Sequence, residues 1–215
     1  MEATAFAAPP AKRPRGRPRK TVDERDDGNR RRALLQGAAR LFRRKGFAAT
    51  STRDIAAAAG MQSGSPFYHF ASKQALLFAV MEEGMRSALE RQARALLAAP
   101  AEPAGRLHLL VRNHFEVLLG VGSDFIPVML YERRSLSARQ RAAVAAMQDA
   151  YEADWIPVLE ALHAAGRLRG DVKLARLLVF GALNWSVQWY DRRQGATLYE
   201  LTQAALDLFI GEGKP

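Results

Sequence analysis

Apolar residues recur every three or four positions through most of this chain. Leu34, Ala38, Leu41 and Phe42 form one stripe, and Leu77, Met81, Met85 and Leu89 another. Two more lie near the end: Leu174, Leu178, Gly181 and Leu183, then Leu201, Ala204, Ala205 and Leu208. Such spacing puts each set on one face of an α-helix. No segment shows sustained alternation or a hairpin signal, so essentially no sheet is expected. The pattern predicts an all-α chain of about nine helices. The first spans about 29–45, and two short ones follow around Gly60. The fourth runs over 72–98. Further helices cover 106–119, 124–134, 137–165 (with Pro157 as a kink), 171–193 and 198–210.

The segment from Ser51 to Phe70 carries the sharpest local signals. Ser51, with Asp54 three residues on, is a capping box that starts a helix. Ile55, Ala56 and Ala59 give it an apolar face, and Gly60 supplies the left-handed turn that ends it. A second short helix begins near Ser63 and closes in Phe67, Tyr68, His69 and Phe70. Helix, glycine turn and short helix describe a helix-turn-helix, whose second helix lies in the DNA major groove.

Charge changes the picture by concentrating it. Residues 1–75 hold 16 Lys+Arg and 6 Asp+Glu, a net of +10, while the other 140 residues balance at 16 and 16. A basic block beside a neutral bulk suits a polyanionic partner. Residues 1–28 read as a disordered arm, because they hold almost no large apolar residues. Within it, Lys12 to Lys20 resembles an AT-hook, in which Arg15 and Arg17 would enter a narrow minor groove and prolines keep the backbone extended. A generic basic tail is the plainer alternative.

Composition removes several chemistries. The chain has no cysteine, which excludes disulfides, thiolate metal sites and cysteine nucleophiles and fits a cytoplasmic setting. Its four histidines, His69, His108, His114 and His163, lack metal-ligand spacing. No phosphate-binding glycine loop or nucleophile elbow is present, so neither an enzyme nor a cofactor is expected. The longest uncharged stretch, Leu177 to Tyr190, is too short to span a membrane.

From Arg30 to Val80 the chain resembles the DNA-binding domain of the TetR family of bacterial transcriptional regulators. The resemblance rests on Leu41-Phe42, Lys45-Gly46-Phe47, Thr50-Ser51, Asp54-Ile55-Ala56, Ala59-Gly60, Gly64, Tyr68-His69-Phe70, Ser72-Lys73 and Leu76-Leu77. It implies a helix-turn-helix domain over 29–75 and a helical ligand-binding and dimerisation domain over 76–215. It also implies a homodimer on a palindromic operator, with Gln62, Ser63, Ser65, Tyr68 and His69 facing DNA and Lys73 holding a phosphate. Thr52 and Arg53 are likewise placed for backbone or base contact. Two positions depart from the family pattern: Pro66 stands where Leu or Ile is usual, and Phe67 replaces a tyrosine.

In the second domain Phe115, Phe125, Met129, Trp155, Phe180, Trp185 and Trp189 are candidates to line a cavity, or equally to fill a core. Tyr131-Glu132-Arg133-Arg134, Leu183-Asn184-Trp185 and Trp189-Tyr190 are similar to members that respond to acyl-coenzyme A thioesters. A small hydrophobic effector, of which such a thioester is one form, is therefore expected. Arg133, Arg134, Arg192 and Arg193 would meet its phosphates. The resulting reading is a ligand-responsive repressor. The alternative is an architectural DNA-binding protein without an effector, and a sizeable apolar cavity with convergent polar groups separates the two.

Overall fold

The computed structural model describes residues 22–61, 66–193 and 195–211, with backbone alone for 22–27, 66 and 67. Arg15, Arg17, Gln62, Ser63 and Ser65 lie outside the described residues or side chains. The described residues form ten α-helices and one 3₁₀ turn, with no strand. They are α1 (Val22–Lys45), α2 (Thr52–Ala58), α3 (Pro66–His69), α4 (Lys73–Leu97), α5 (Pro103–Leu119) and α6 (Phe125–Glu132). The turn η1 (Arg133–Ser135) leads to α7 (Ala138–Ala153), α8 (Ile156–Ala164), α9 (Val172–Trp189) and α10 (Leu198–Phe209).

Helix α4 is the axis of the molecule. Its first turns bury Leu76, Leu77 and Val80 beside Leu34, Ala38 and Phe42 of α1. Its later turns bury Met85, Ala88 and Gln92 against α5, α6 and α7. One continuous core therefore runs from the helix-turn-helix into the larger domain. Gly84 lets α6 approach closely, since a Cβ there would lie 2.8 Å from Phe125 Cβ. Around α5, the helices α8, α9 and α10 close a second layer over Leu110, Phe115 and Leu118.

The observed elements depart from the sequence pattern in four places. Helix α1 begins at Val22, seven residues before the expected start, so residues 22–28 are helical and not a disordered arm. Their Asp and Glu residues suit the positive end of a helix and need no apolar partner to do so. The helix expected over 137–165 is two: α7 stops at Ala153, four residues before Pro157, where a proline ring clashes with the helical carbonyl. That break raises the count from nine to ten. Leu183 and Ala205, grouped by spacing with outward residues, are buried. Arg133 and Arg134 leave helical geometry for η1 and are exposed.

Candidate nucleic-acid interface and ligand crevice

The helix-turn-helix is built by caps and glycines. Ser51 Oγ accepts from the Asp54 amide at 3.1 Å, and Asp54 Oδ2 accepts from the Ser51 amide at 3.0 Å. The backbone bond from Ser51 holds the Asp54 carboxyl below its ordinary range. Gly60 takes φ +69° and turns the chain toward α3. Ile55 and Ala56 are buried, Arg53 is exposed, and Thr52, one turn before the buried pair, is half-buried. Tyr68 is 85% exposed, and its ring meets the half-buried His69 edge-on at 5.3 Å. Phe70 beside it is buried, with the Arg31 guanidinium 5.2 Å from its ring centre. Thr52, Arg53 and Tyr68 thus offer donors at the surface of one head.

Lys73 is placed differently from the phosphate ligand that the resemblance implies. Its ammonium donates to the carbonyls of Phe47 at 2.8 Å and Thr50 at 2.9 Å, and lies 4.3 Å from the Phe47 ring centre. Two of its three N–H groups therefore clamp the turn between α1 and α2, and one remains for a phosphate.

The same turn is gripped from the larger domain. Glu132, the last residue of α6, accepts from the Phe47 amide at 2.9 Å. Its Oε1 would lie 3.2 Å from a Cβ at Gly46, which has φ +80°. Arg43 of α1 reaches the Ser123 carbonyl at 3.2 Å and Asp124 Oδ1 at 3.0 Å, just before α6. Gln74 of α4 donates to the Ser135 carbonyl at 2.8 Å. Both ends of α6 are thereby tied to the DNA-reading head.

Behind α6 lies a narrow crevice of about 40 Å³. Met85, Ala88, Val117, Ile126, Met129 and Phe180 form its apolar wall, while His114, Gln148, Tyr151, Glu152 and Asn184 supply polar atoms. His114 Nδ1 is 3.2 Å from the Tyr151 hydroxyl, and Nε2 is 3.2 Å from Asn184 Oδ1. Burial pushes the imidazole pKa down to about 4 and raises that of the Tyr151 phenol, so both are neutral near pH 7. Ala88, Val117 and Ile126 also line a wide groove of about 880 Å³. That mouth carries Arg31, Arg32, Arg86, Arg91 and Arg192 against Glu83 and Glu116. The two carboxylates pair with Arg86 and Arg91.

Of the expected effector residues, Met129 lines the crevice and Phe125 the mouth. Phe115 and Trp155 are core, 2% and 0% exposed, and the Trp155 indole donates to Gln92 Oε1 at 3.0 Å. Trp185 and Trp189 turn outward, 64% and 58% exposed. Arg133 and Arg134 line neither cavity, whereas Arg192 does. Sequence reasoning missed Arg31, Arg32, Arg86 and Arg91, which only the packing of α1 beside α4 gathers. It also missed the role of His114, although a histidine between Leu110, Val111, Phe115 and Leu118 was a readable signal.

Two measurements follow from these placements. Lys73→Ala strands two carbonyls, so thermal denaturation should show a loss of about 1–3 kcal/mol. An unchanged melting temperature would leave the lysine free for DNA alone. For His114, the folded pKa lies below the exposed value of 6.5, so the unfolded chain takes up the proton first as pH falls. Stability should therefore drop by about 2 kcal/mol between pH 7 and pH 5 on this group's account. His114→Gln should flatten that part of the denaturation profile, and an identical slope in both proteins would contradict it.

The chain is similar to known proteins over most of its length. Residues 34–80 match the model of the tetR family of bacterial regulatory proteins, and residues 100–211 that of the tetracyclin repressor-like C-terminal domain. The HTH-type transcriptional repressor KstR2 of Rhodococcus jostii is 30% identical over 193 residues, covering 87% of this chain and 93% of that one. Among solved structures, AibR in complex with isovaleryl coenzyme A and operator DNA superposes with a TM-score of 0.76 at 26% identity, covering 84% of this chain and 97% of that one. Superantigen PfiT is 41% identical with a TM-score of 0.69, over 84% and 96% of the two chains. The chain belongs to the TetR family of bacterial regulatory proteins.

Proposed function

We propose that this protein is a repressor that leaves its operator when an acyl-coenzyme A thioester binds between the helices of the larger domain. The observation that carries the reading is the continuity of an arginine-lined mouth with a mostly apolar crevice through Ala88, Val117 and Ile126. A thioester has the matching halves: phosphates for guanidinium groups and an acyl chain for Met85, Met129 and Phe180. The AibR complex with isovaleryl coenzyme A supports the same ligand class. An architectural protein needs no such site.

Helix α6 gives the mechanism its direction. Ile126 and Met129 face the crevice, and Glu132 at the end of the same helix grips the Phe47 amide. An acyl chain entering a crevice of about 40 Å³ must push its walls apart. That displacement moves the α1–α2 turn and with it α2, Tyr68 and His69. Thr52, Arg53, Tyr68, His69 and the remaining donor of Lys73 contact DNA, chiefly its phosphates, together with Gln62, Ser63 and Ser65. Arg15 and Arg17 would add minor-groove contacts.

Two such heads require two chains. Leu174, Leu178, Gly181, Trp185 and Trp189 follow one another along the outer face of α9, all exposed. Tyr199 and Leu208 of α10 add exposed apolar area. A second copy of the chain covers this face in a four-helix bundle, which gives the two-fold symmetry of a palindromic operator.

The test is a fluorescence-anisotropy titration of operator with acyl-coenzyme A esters, free acids and coenzyme A alone. Thioesters are expected to release DNA, and Arg192→Ala to weaken that release about tenfold, since a charge-assisted bond contributes about 1.5–3 kcal/mol. Release by free acids as strong as by their thioesters, or no binding of any thioester, would overturn the coenzyme A reading.

A further inference from the structure

The crevice is not a plain hydrocarbon slot, and the arrangement of its polar end has a direction. The residues shared with the mouth, Ala88, Val117 and Ile126, mark where a ligand enters. The polar residues His114, Gln148, Tyr151, Glu152 and Asn184 line the crevice and not the mouth, and so lie beyond that entry; Glu152 is paired with Arg176.

The protons in this network can be followed one by one. Asn184 Oδ1 faces His114 Nε2, and a carbonyl oxygen only accepts, so Nε2 carries the hydrogen. The imidazole is neutral, which leaves Nδ1 as a bare acceptor, and the Tyr151 hydroxyl donates to it. Donation thus runs from Tyr151 through His114 to Asn184. The far end of the chain is the Asn184 Nδ2 amide, whose two N–H groups have no protein acceptor among the hydrogen bonds of the described residues. Asn184 is half-buried and lines the crevice. These donors keep access to water, and a ligand whose acyl group displaces that water must bring an acceptor in its place or leave the donors unpaired beside an apolar wall.

We propose that the effector carries a carbonyl oxygen on the part buried in the crevice, and that Asn184, oriented by His114 and Tyr151, is the residue that selects it. The class of ligand is therefore an oxo-substituted acyl group, not a simple saturated chain. The inference rests on the acyl-thioester reading above and adds to it a specific feature of the acyl portion. Asn184 binds the ligand directly. His114 is a positioning residue, because its ring nitrogens are both engaged by protein.

The experiment compares hexanoyl-coenzyme A with its 4-oxo and 5-oxo counterparts by isothermal titration calorimetry, with the corresponding free acids in parallel. The unmodified protein should bind the better oxo ester about tenfold more tightly than the saturated ester, the factor expected of one hydrogen bond to an otherwise unpaired group. Asn184→Leu should bring the two within about twofold of each other while operator affinity stays near its original value. The melting temperature should fall, because His114 Nε2–H loses its acceptor, and Asn184→Asp, which keeps that acceptor, separates this loss from ligand selection. Asn184→Asp replaces the donors by an acceptor, so it should lose the oxo ester and keep 5-hydroxyhexanoyl-coenzyme A, which can donate. Equal binding of oxo and saturated esters by the unmodified protein would overturn this inference and leave the thioester reading standing. Free oxo acids binding with an Asn184-dependent preference, with no thioester bound, would do the reverse. Binding of neither series would overturn both.

Discussion

The structure depends most on how one turn of chain, residues 46–50, is held. It connects α1 to α2 and has little apolar content of its own beyond Phe47. Lys73 fixes it from α4 through the carbonyls of Phe47 and Thr50. Glu132 fixes it from α6 through the Phe47 amide. Thr50 closes it from within, its hydroxyl donating to the Gly46 carbonyl at 2.7 Å. Opposite charges from two helices thus satisfy the N–H and the C=O of one residue, Phe47. Because buried peptide groups are costly to leave unpaired, the turn cannot shift without a compensating movement of α4 or α6. In the proposed function that constraint is what couples a DNA-reading head to a ligand crevice, with no long chain of intermediates.

The crevice and its mouth divide the recognition problem by dielectric. Arginines in an open groove keep their hydration and hold an anion at modest cost. The inner crevice is narrow and mostly apolar, so a single misplaced polar group there is penalised heavily. Arg31 and Arg32 belong to α1, Arg86 and Arg91 to α4, and Arg192 follows α9. A polyanion in the mouth therefore touches the reading head as well as the ligand-binding body. Binding energy on that scale need favour the released state by only about 1.4 kcal/mol to give a tenfold effect on DNA.

Much of this was legible in the sequence because it is local. The Ser51–Asp54 capping box, the positive φ of Gly60, and the stripe Leu77–Met81–Met85 all follow from neighbouring residues. The family itself was readable from the run around Tyr68-His69-Phe70. What periodicity could not settle was which side of a stripe faces inward. Leu183 is buried, yet Trp185, two residues on, is exposed, and both fit an apolar helix. Trp155 fitted a cavity or a core equally well by type, and it is core, with Gln92 accepting the indole hydrogen that burial would otherwise strand. Lys73 is a phosphate ligand on the family resemblance alone. Its carbonyl partners lie 23 and 26 residues earlier in the chain. The arginine mouth needs α1 and α4 side by side, a tertiary fact no spacing rule encodes.

The central claim is that α6 carries ligand binding to the reading head through Glu132. Reciprocal linkage measures it directly: the affinity of an acyl-coenzyme A thioester is determined with and without saturating operator, in the unmodified protein and in Glu132→Ala. Operator should weaken thioester binding by about tenfold or more in the unmodified protein, the range typical of coupled sites. In Glu132→Ala the ratio should fall toward one, with thioester affinity for the DNA-free protein retained. A ratio unchanged by the substitution would contradict the account, as would a ratio of one in the unmodified protein.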